Sequence, residues 1–306
     1  MGDIKVFQIK DSKAVQLEGQ SATLERSLQR LIEENLEVML GVHFLASEYS
    51  TGKKHGGRID TLGIDENGCP VIIEYKRTLN ENVINQGLFY LDWLLDHRAE
   101  FQLRVMEKFG KEMSDNIEWG SPRLLCIAGG YTNYDVYAVQ QINRNIELIR
   151  YSHYGKELIL LEQVNVTTAT ADTDKHHSDS SDTSAGSTRS HKTAAESLEQ
   201  ADQEIRDLFG AFHDFALALG DDVQAKTLSL YFAYRRLKNF ACIVVQNKVL
   251  KLWLKLDPDK IEMEDGFSRD VRDVGHWGTG DLEVHIKNLA DLEKAKPLIV
   301  KSYEAN

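Results

Sequence analysis

The chain has 306 residues, 42% hydrophobic and 27% charged, which is enough apolar surface for packed cores and excludes wholesale disorder. At about 100–200 residues per domain, that length predicts two globular units. With 36 basic against 48 acidic side chains and a formal net charge of -12, the composition excludes a protein that coats nucleic acid by bulk charge.

Cys69, Cys126 and Cys242 are far apart and form no CxxC, a sparse odd set that fits a reducing compartment. The N-terminus shows no apolar core with a cleavage site, and no apolar run approaches the ~20 residues of a membrane span. The expectation is a soluble, cytoplasmic protein with no membrane contact.

In chain order, a first helix is predicted over residues 21–40, with Leu24, Leu28, Leu31, Ile32, Leu36 and Met39 at helical spacing. Residues 43–49 read as extended. A hairpin follows: a strand over 58–64, a turn at Asp65-Glu66-Asn67-Gly68, and a β-rich partner over 71–76. A second helix is predicted over 81–109, then short strands over 122–128, 135–139, 146–151 and 157–162. Residues 164–197 are small and polar, with no aromatic residue, and read as a flexible tether between a domain at 1–163 and another at 198–306. His176, His177 and His191 within it have no metal-ligand spacing and read as solvated. Beyond the tether come a helix over 197–219, hairpin strands over 240–245 and 249–256, and a closing helix over 289–303, an α+β module.

Chemistry concentrates in Gly57-Arg58-Ile59-Asp60, thirteen residues, then Glu74-Tyr75-Lys76. Glu74 and Lys76, two apart on one strand, emerge on one face, and the hairpin can bring Asp60 opposite them. Val71-Ile72-Ile73 predicts a buried central strand, and charges continuing from such a strand need partners or a ligand. Two hard carboxylates suit Mg²⁺ or Mn²⁺, which keep waters and accept phosphate oxygens.

This D–(x)13–E-x-K pattern resembles the core of the PD-(D/E)XK nuclease superfamily, and residues 1–162 are similar to its RecB-like and NucS-like branches. Ile59-Asp60 stands where the literal Pro-Asp would be. The resemblance implies an α/β restriction-endonuclease-like core, a mixed central sheet flanked by helices. It implies that Asp60 and Glu74 ligate the metal, that Tyr75 offers its backbone carbonyl, and that Lys76 acts on the attacking water. It also implies a glutamate from the first helix. Glu25, Gln29 and Glu33 form a polar stripe there, and Glu25 is slightly preferred over Glu33. In the second helix, Gln86 and Tyr90 match the Gln and Tyr that RecB-like nucleases often carry after the lysine, whereas Trp93 reads as core and His97 as a helix-end residue. Lys53, Lys54, His55, Arg58 and Arg77 cluster around the hairpin as candidate phosphate contacts.

The C-terminal module, chiefly through residues 274–283, resembles a domain of unknown function often appended to such nucleases and sometimes labelled "predicted transport protein". No membrane segment supports that label. Its His276 and Trp277, with Tyr231, Tyr234, Arg235, Arg236, Lys238 and Arg269, are read either as a stacking and cationic nucleic-acid surface or as core and interface. The functional expectation is a Mg²⁺- or Mn²⁺-dependent deoxyribonuclease, of repair or foreign-DNA restriction. The alternative is a non-cleaving nucleic-acid binder or sensor on the same scaffold. Cutting both strands of a duplex would call for two active sites, hence a homodimer, although the sequence leaves the oligomeric state open.

Overall fold

The computed structural model describes residues 4–21, 25–52, 56–76, 82–167 and 192–306. The chain divides into two compact units, Met1–Ala169 and Thr170–Asn306. Among the described residues no helix is long and apolar enough to cross a membrane.

The first unit opens on a hairpin that the sequence reading did not anticipate, β1 (Val6–Lys10) and β2 (Lys13–Leu17). Its two turn residues, Asp11 and Ser12, have φ of 48° and 61°, the left-handed pair that matches the twist of a tight hairpin. The first predicted helix is two, α1 (Glu25–Glu33) and α2 (Leu36–Leu40). The break falls at Asn35, whose side-chain amide donates to the Leu31 carbonyl at 2.8 Å.

Strands β3 (Val42–Ser50), β4 (Arg58–Asp65) and β5 (Pro70–Lys76) follow as an antiparallel meander. The second predicted helix also divides, into α3 (Asn82–Asp96) and α4 (Arg98–Phe109), at His97, whose Nδ1 lies 2.8 Å from the Trp93 carbonyl. A short α5 (Lys111–Asp115) leads to β6 (Arg123–Ala128).

Residues 135–139, expected as a strand, belong instead to helix α6 (Asn133–Gln140). The reason is local: Thr132 and Asp135 form a reciprocal capping box, Asp135 N donating to Thr132 Oγ1 at 3.2 Å and Thr132 N to Asp135 Oδ2 at 2.7 Å. Strands β7 (Asn145–Tyr154) and β8 (Leu158–Thr167) complete the sheet, which runs β3-β4-β5-β6-β7-β8. Pairing is parallel only at β5/β6 and β6/β7, so this is a mixed α/β sheet. Its core joins Leu62, Ile72, Leu124 and Leu148 to Leu91, Trp93 and Leu94 of α3. Gly87 lets α3 approach closely, since a Cβ there would stand 2.4 Å from the Leu124 side chain. As expected, Val71, Ile72 and Ile73 are fully buried at the centre.

Of the stretch read as a tether, residues 168–191 lie outside the described residues, while 164–167 end β8 and 194–197 open α7 (Ala194–Glu199). The second unit continues with α8 (Gln203–Leu217) and the strands β9 (Gln224–Thr227), β10 (Phe232–Arg235), β11 (Asn239–Gln246), β12 (Val249–Leu254), β13 (Ser268–Asp270) and β14 (Leu282–Ile286). Helix α9 (Leu289–Ala305) closes it. The sheet is antiparallel throughout, in the order β13-β14-β12-β11-β10-β9. Leu208, Phe212, Leu292 and Ile299 of the helices pack on Ile243, Leu252 and Val284.

Of the residues read either as a nucleic-acid surface or as core and interface, several are core or paired. Tyr231, Tyr234 and Arg235 are buried, Arg236 pairs with Asp222 at 2.6 Å, and Arg269 pairs with the buried Glu283 at 2.7 Å. Period-two alternation turns Tyr234 toward the helices, so it cannot be a stacking platform. His276 lies over Trp253, with ring centroids 5.5 Å apart, while Trp277 remains exposed.

Candidate active site

The site forms where β4 and β5 part. Their ladder is regular from Ile64↔Pro70 to Thr61↔Ile73, which places Asp60 opposite Glu74 at the next position. There the side chains take over the bonding. Asp60 N donates to Glu74 Oε1 at 3.2 Å, and Tyr75 N donates to Asp60 Oδ2 at 3.0 Å. Each carboxylate thus keeps one oxygen on a backbone amide. Among the described residues, the second oxygen of Glu74, Oε2, is buried with no hydrogen-bond partner, in a residue that is 0% exposed.

An orphaned buried carboxylate oxygen is costly unless protonated or bound to a cation. Burial, reinforced by the charge of Asp60, pushes the Glu74 carboxyl up to about 9. Burial raises Asp60 as well, with Glu25 and Glu48 adding to the rise and Lys76 and the Tyr75 amide opposing it. Two close carboxylates that resist ionising together would bind a proton or a cation between them.

The remaining expected residues take distinct places. Lys76 Nζ lies 3.6 Å from Glu25 Oε1, so of the two helix glutamates Glu25 reaches the lysine. Glu33 is engaged elsewhere, accepting from Thr61 Oγ1 at 2.6 Å and from Gln29 Nε2 at 3.0 Å. Gln29 also donates to the Asp60 carbonyl at 2.8 Å and to Ser47 Oγ at 3.2 Å, tying α1 to the strands beneath the site. The Tyr75 hydroxyl lies 3.3 Å from Thr61 Oγ1, so its side chain packs below the sheet, away from the carboxylates.

Gln86 Nε2 donates to Tyr90 OH at 3.2 Å, and that hydroxyl accepts from Arg58 N at 3.1 Å. The Tyr90 ring rests on Gly57, where a Cβ would stand 2.5 Å from it. Gln86 and Tyr90 therefore hold the start of β4, two residues before Asp60. Trp93 is core, stacked on His97 at 4.8 Å, as expected. Lys53, Lys54, His55 and Arg77 lie outside the described residues. Arg58 is described and forms an ion pair with Glu48, a residue the sequence reading passed over.

Among the described residues, no three His, Cys, Asp or Glu side chains already stand together as a metal cage. Two carboxylates, one with a buried oxygen that no described residue satisfies, nevertheless suit a cation such as Mg²⁺, which is commonly held by one or two carboxylates and keeps its waters. Asp60 and Glu74 fit that donor set.

Comparison with known proteins places the chain. Over 300 residues it is 31% identical to an uncharacterized protein of Haemophilus influenzae (strain Rd), covering 97% of this chain and 98% of that one. The chain belongs to that protein's family. Residues 194–306, from α7 to the end of the chain, match the family model of a domain of unknown function, DUF5655. Among solved structures, a complex of EndoMS with dsDNA matches at 21% identity and a TM-score of 0.29, covering 47% of this chain and 49% of that one. A repair endonuclease from Pyrococcus abyssi matches at 21% identity and a TM-score of 0.28, covering 42% and 48%. EndoMS in apo form matches at 20% identity and a TM-score of 0.26, covering 45% and 49%. The chain spans about half the length of these solved proteins and nearly all of the Haemophilus one.

Proposed function

We propose that the chain is a divalent-cation-dependent nuclease that hydrolyses DNA phosphodiester bonds at Asp60, Glu74 and Lys76. The observation that carries this reading is the unpartnered, buried Glu74 Oε2 beside Asp60, with an ammonium two residues along the same strand. The D–(x)13–E-x-K spacing supports it through its resemblance to PD-(D/E)XK nucleases.

Asp60 and Glu74 would hold Mg²⁺ or Mn²⁺, which would supply Lewis-acid stabilisation of the charge developing on the phosphate. Lys76, steadied by Glu25, would orient the attacking water and offset phosphate charge. Arg58 would meet the phosphate backbone, and Gln86 and Tyr90 would keep β4 in register with the substrate.

The test is a panel of labelled DNA and RNA substrates with Mg²⁺ and with Mn²⁺. Wild type is expected to cut DNA, and Asp60→Ala or Lys76→Ala to lose roughly 10²–10⁴-fold in rate. Full activity in Asp60→Ala would overturn the mechanism. Tight DNA binding with no cleavage by the wild type would favour the non-cleaving reader.

A further inference from the structure

Glu48 lies on β3, outside the D–E-x-K pattern, and its position calls for explanation. The β3–β4 register pairs Ser47 with Thr61 and Tyr49 with Ile59, so Glu48 falls opposite Asp60, just as Asp60 falls opposite Glu74. Three acidic residues therefore occupy one row across three adjacent strands. At about 4.8 Å between strands, the outer two backbones are only about 10 Å apart, a span that carboxylate side chains can close around one ion.

One observation points to a ligand at this row: Glu74 Oε2, at its far end, is buried and has no hydrogen-bond partner among the described residues. At its near end, the Glu48 backbone is left-handed, with φ of 52° within a strand. The charge of Glu48 is felt at Asp60, yet the residue is engaged by Arg58, whose side chain is 60% exposed. With Glu25, the described residues of the site include four acidic side chains, with Lys76 and Arg58 as their described cations.

We propose that Glu48 is a third carboxylate of the cation site and that Arg58 is its exchangeable counter-ion. Arg58 neutralises Glu48 until a divalent cation arrives; Glu48 then turns to the cation, and the freed guanidinium meets a substrate phosphate. This rests on the reading of Asp60 and Glu74 as a cation site, and it adds to that reading a coupling between cation loading and substrate grip.

The experiment titrates Mn²⁺ into the full chain without substrate, read by the electron-paramagnetic signal of the free ion. It compares wild type, Glu48→Gln, Glu48→Asn, Arg58→Ala, Asp60→Ala and, as a control, the exposed Glu157→Gln. Glu48→Asn keeps a residue that tolerates positive φ, so lost affinity there cannot be assigned to backbone strain. Both Glu48 variants are expected to weaken Mn²⁺ binding by roughly 10-fold or more, within the range by which supporting residues tune metal sites. Arg58→Ala is expected to tighten Mn²⁺ binding and to weaken association with a DNA duplex. If both Glu48 variants bind within about twofold of wild type while Asp60→Ala loses binding, this inference is overturned and the nuclease reading stands. If Asp60→Ala is also unchanged, both are overturned.

Discussion

Glu74→Gln is expected to make the cation-free protein more stable at pH 8, with a melting temperature roughly 5–10 °C above wild type. The sign follows from where the proton sits. Burial and Asp60 raise the Glu74 carboxyl from its ordinary 4.5 to about 9. Between those values the folded protein holds a proton that the unfolded chain releases. The contribution of Glu74 to wild-type stability is therefore fully present below about pH 4.5 and is lost as pH rises toward 9, by at most about 1.4 kcal/mol per unit. Glutamine has the shape of the neutral acid and no proton to lose, so its profile should lack that slope. Mn²⁺ should reverse the order, stabilising wild type by binding the folded state alone while leaving Glu74→Gln nearly unmoved. Thermal melts at pH 6, 7, 8 and 9, with and without Mn²⁺, check both halves. Parallel pH profiles for the two proteins would show that Glu74 is ionised in the empty site.

The second large effect concerns stability at the other end of the sheet. Arg123, at the start of β6, donates to Glu147 of β7 through Nε at 2.7 Å and Nη2 at 3.0 Å, and to Asp65 of β4 through Nη1 at 2.8 Å. All three residues are buried. Asp65 also accepts from the amides of Asn67 and Cys69, both at 2.9 Å, so it shapes the β4–β5 turn as well. Arg123→Met would leave two desolvated carboxylates without their counter-ion, at a cost of about 3–5 kcal/mol. The melting temperature should fall by roughly 10 °C at pH 8. Adding Asp65→Asn and Glu147→Gln should recover much of the loss. A triple variant no more stable than Arg123→Met would mean that the two carboxylates are satisfied without Arg123.

This triad has a bearing on the site. It clamps β4, β6 and β7 at one end of the sheet, and β4 and β5 separate at the other, where Asp60 and Glu74 replace ladder bonds with side-chain bonds. A rigid anchor opposite an opened end keeps two mutually repelling carboxylates in place.

Local order in the chain was enough for the central features. The apolar run Val71-Ile72-Ile73 marked a buried strand, the Asp65–Gly68 turn marked the hairpin, and a two-residue spacing put Glu74 and Lys76 on one face. Those signals depend on neighbours within a few residues, and they survive without knowledge of the fold. The breaks at Asn35 and His97, and the helix over 133–140, depart from the periodicity for a related reason: side-chain bonds to nearby backbone groups outweigh it.

Other features depend on strands distant in sequence being brought into one register. Glu48 falls beside the Asp60–Glu74 row only through the β3–β4 pairing, which no fixed spacing in the sequence announces. Arg123 meets Asp65 and Glu147 across 58 and 24 residues. Whether Glu25 or Glu33 approaches Lys76 turned on the packing of α1 against the strands, because both lie on one polar stripe. The sequence by itself determined which strands are buried and which residues carry the acid–acid–lysine pattern, since burial and period follow from side-chain chemistry along the chain. Tertiary structure alone decided which charges meet, because cross-strand register and burial set the distances on which Coulomb energy and desolvation depend.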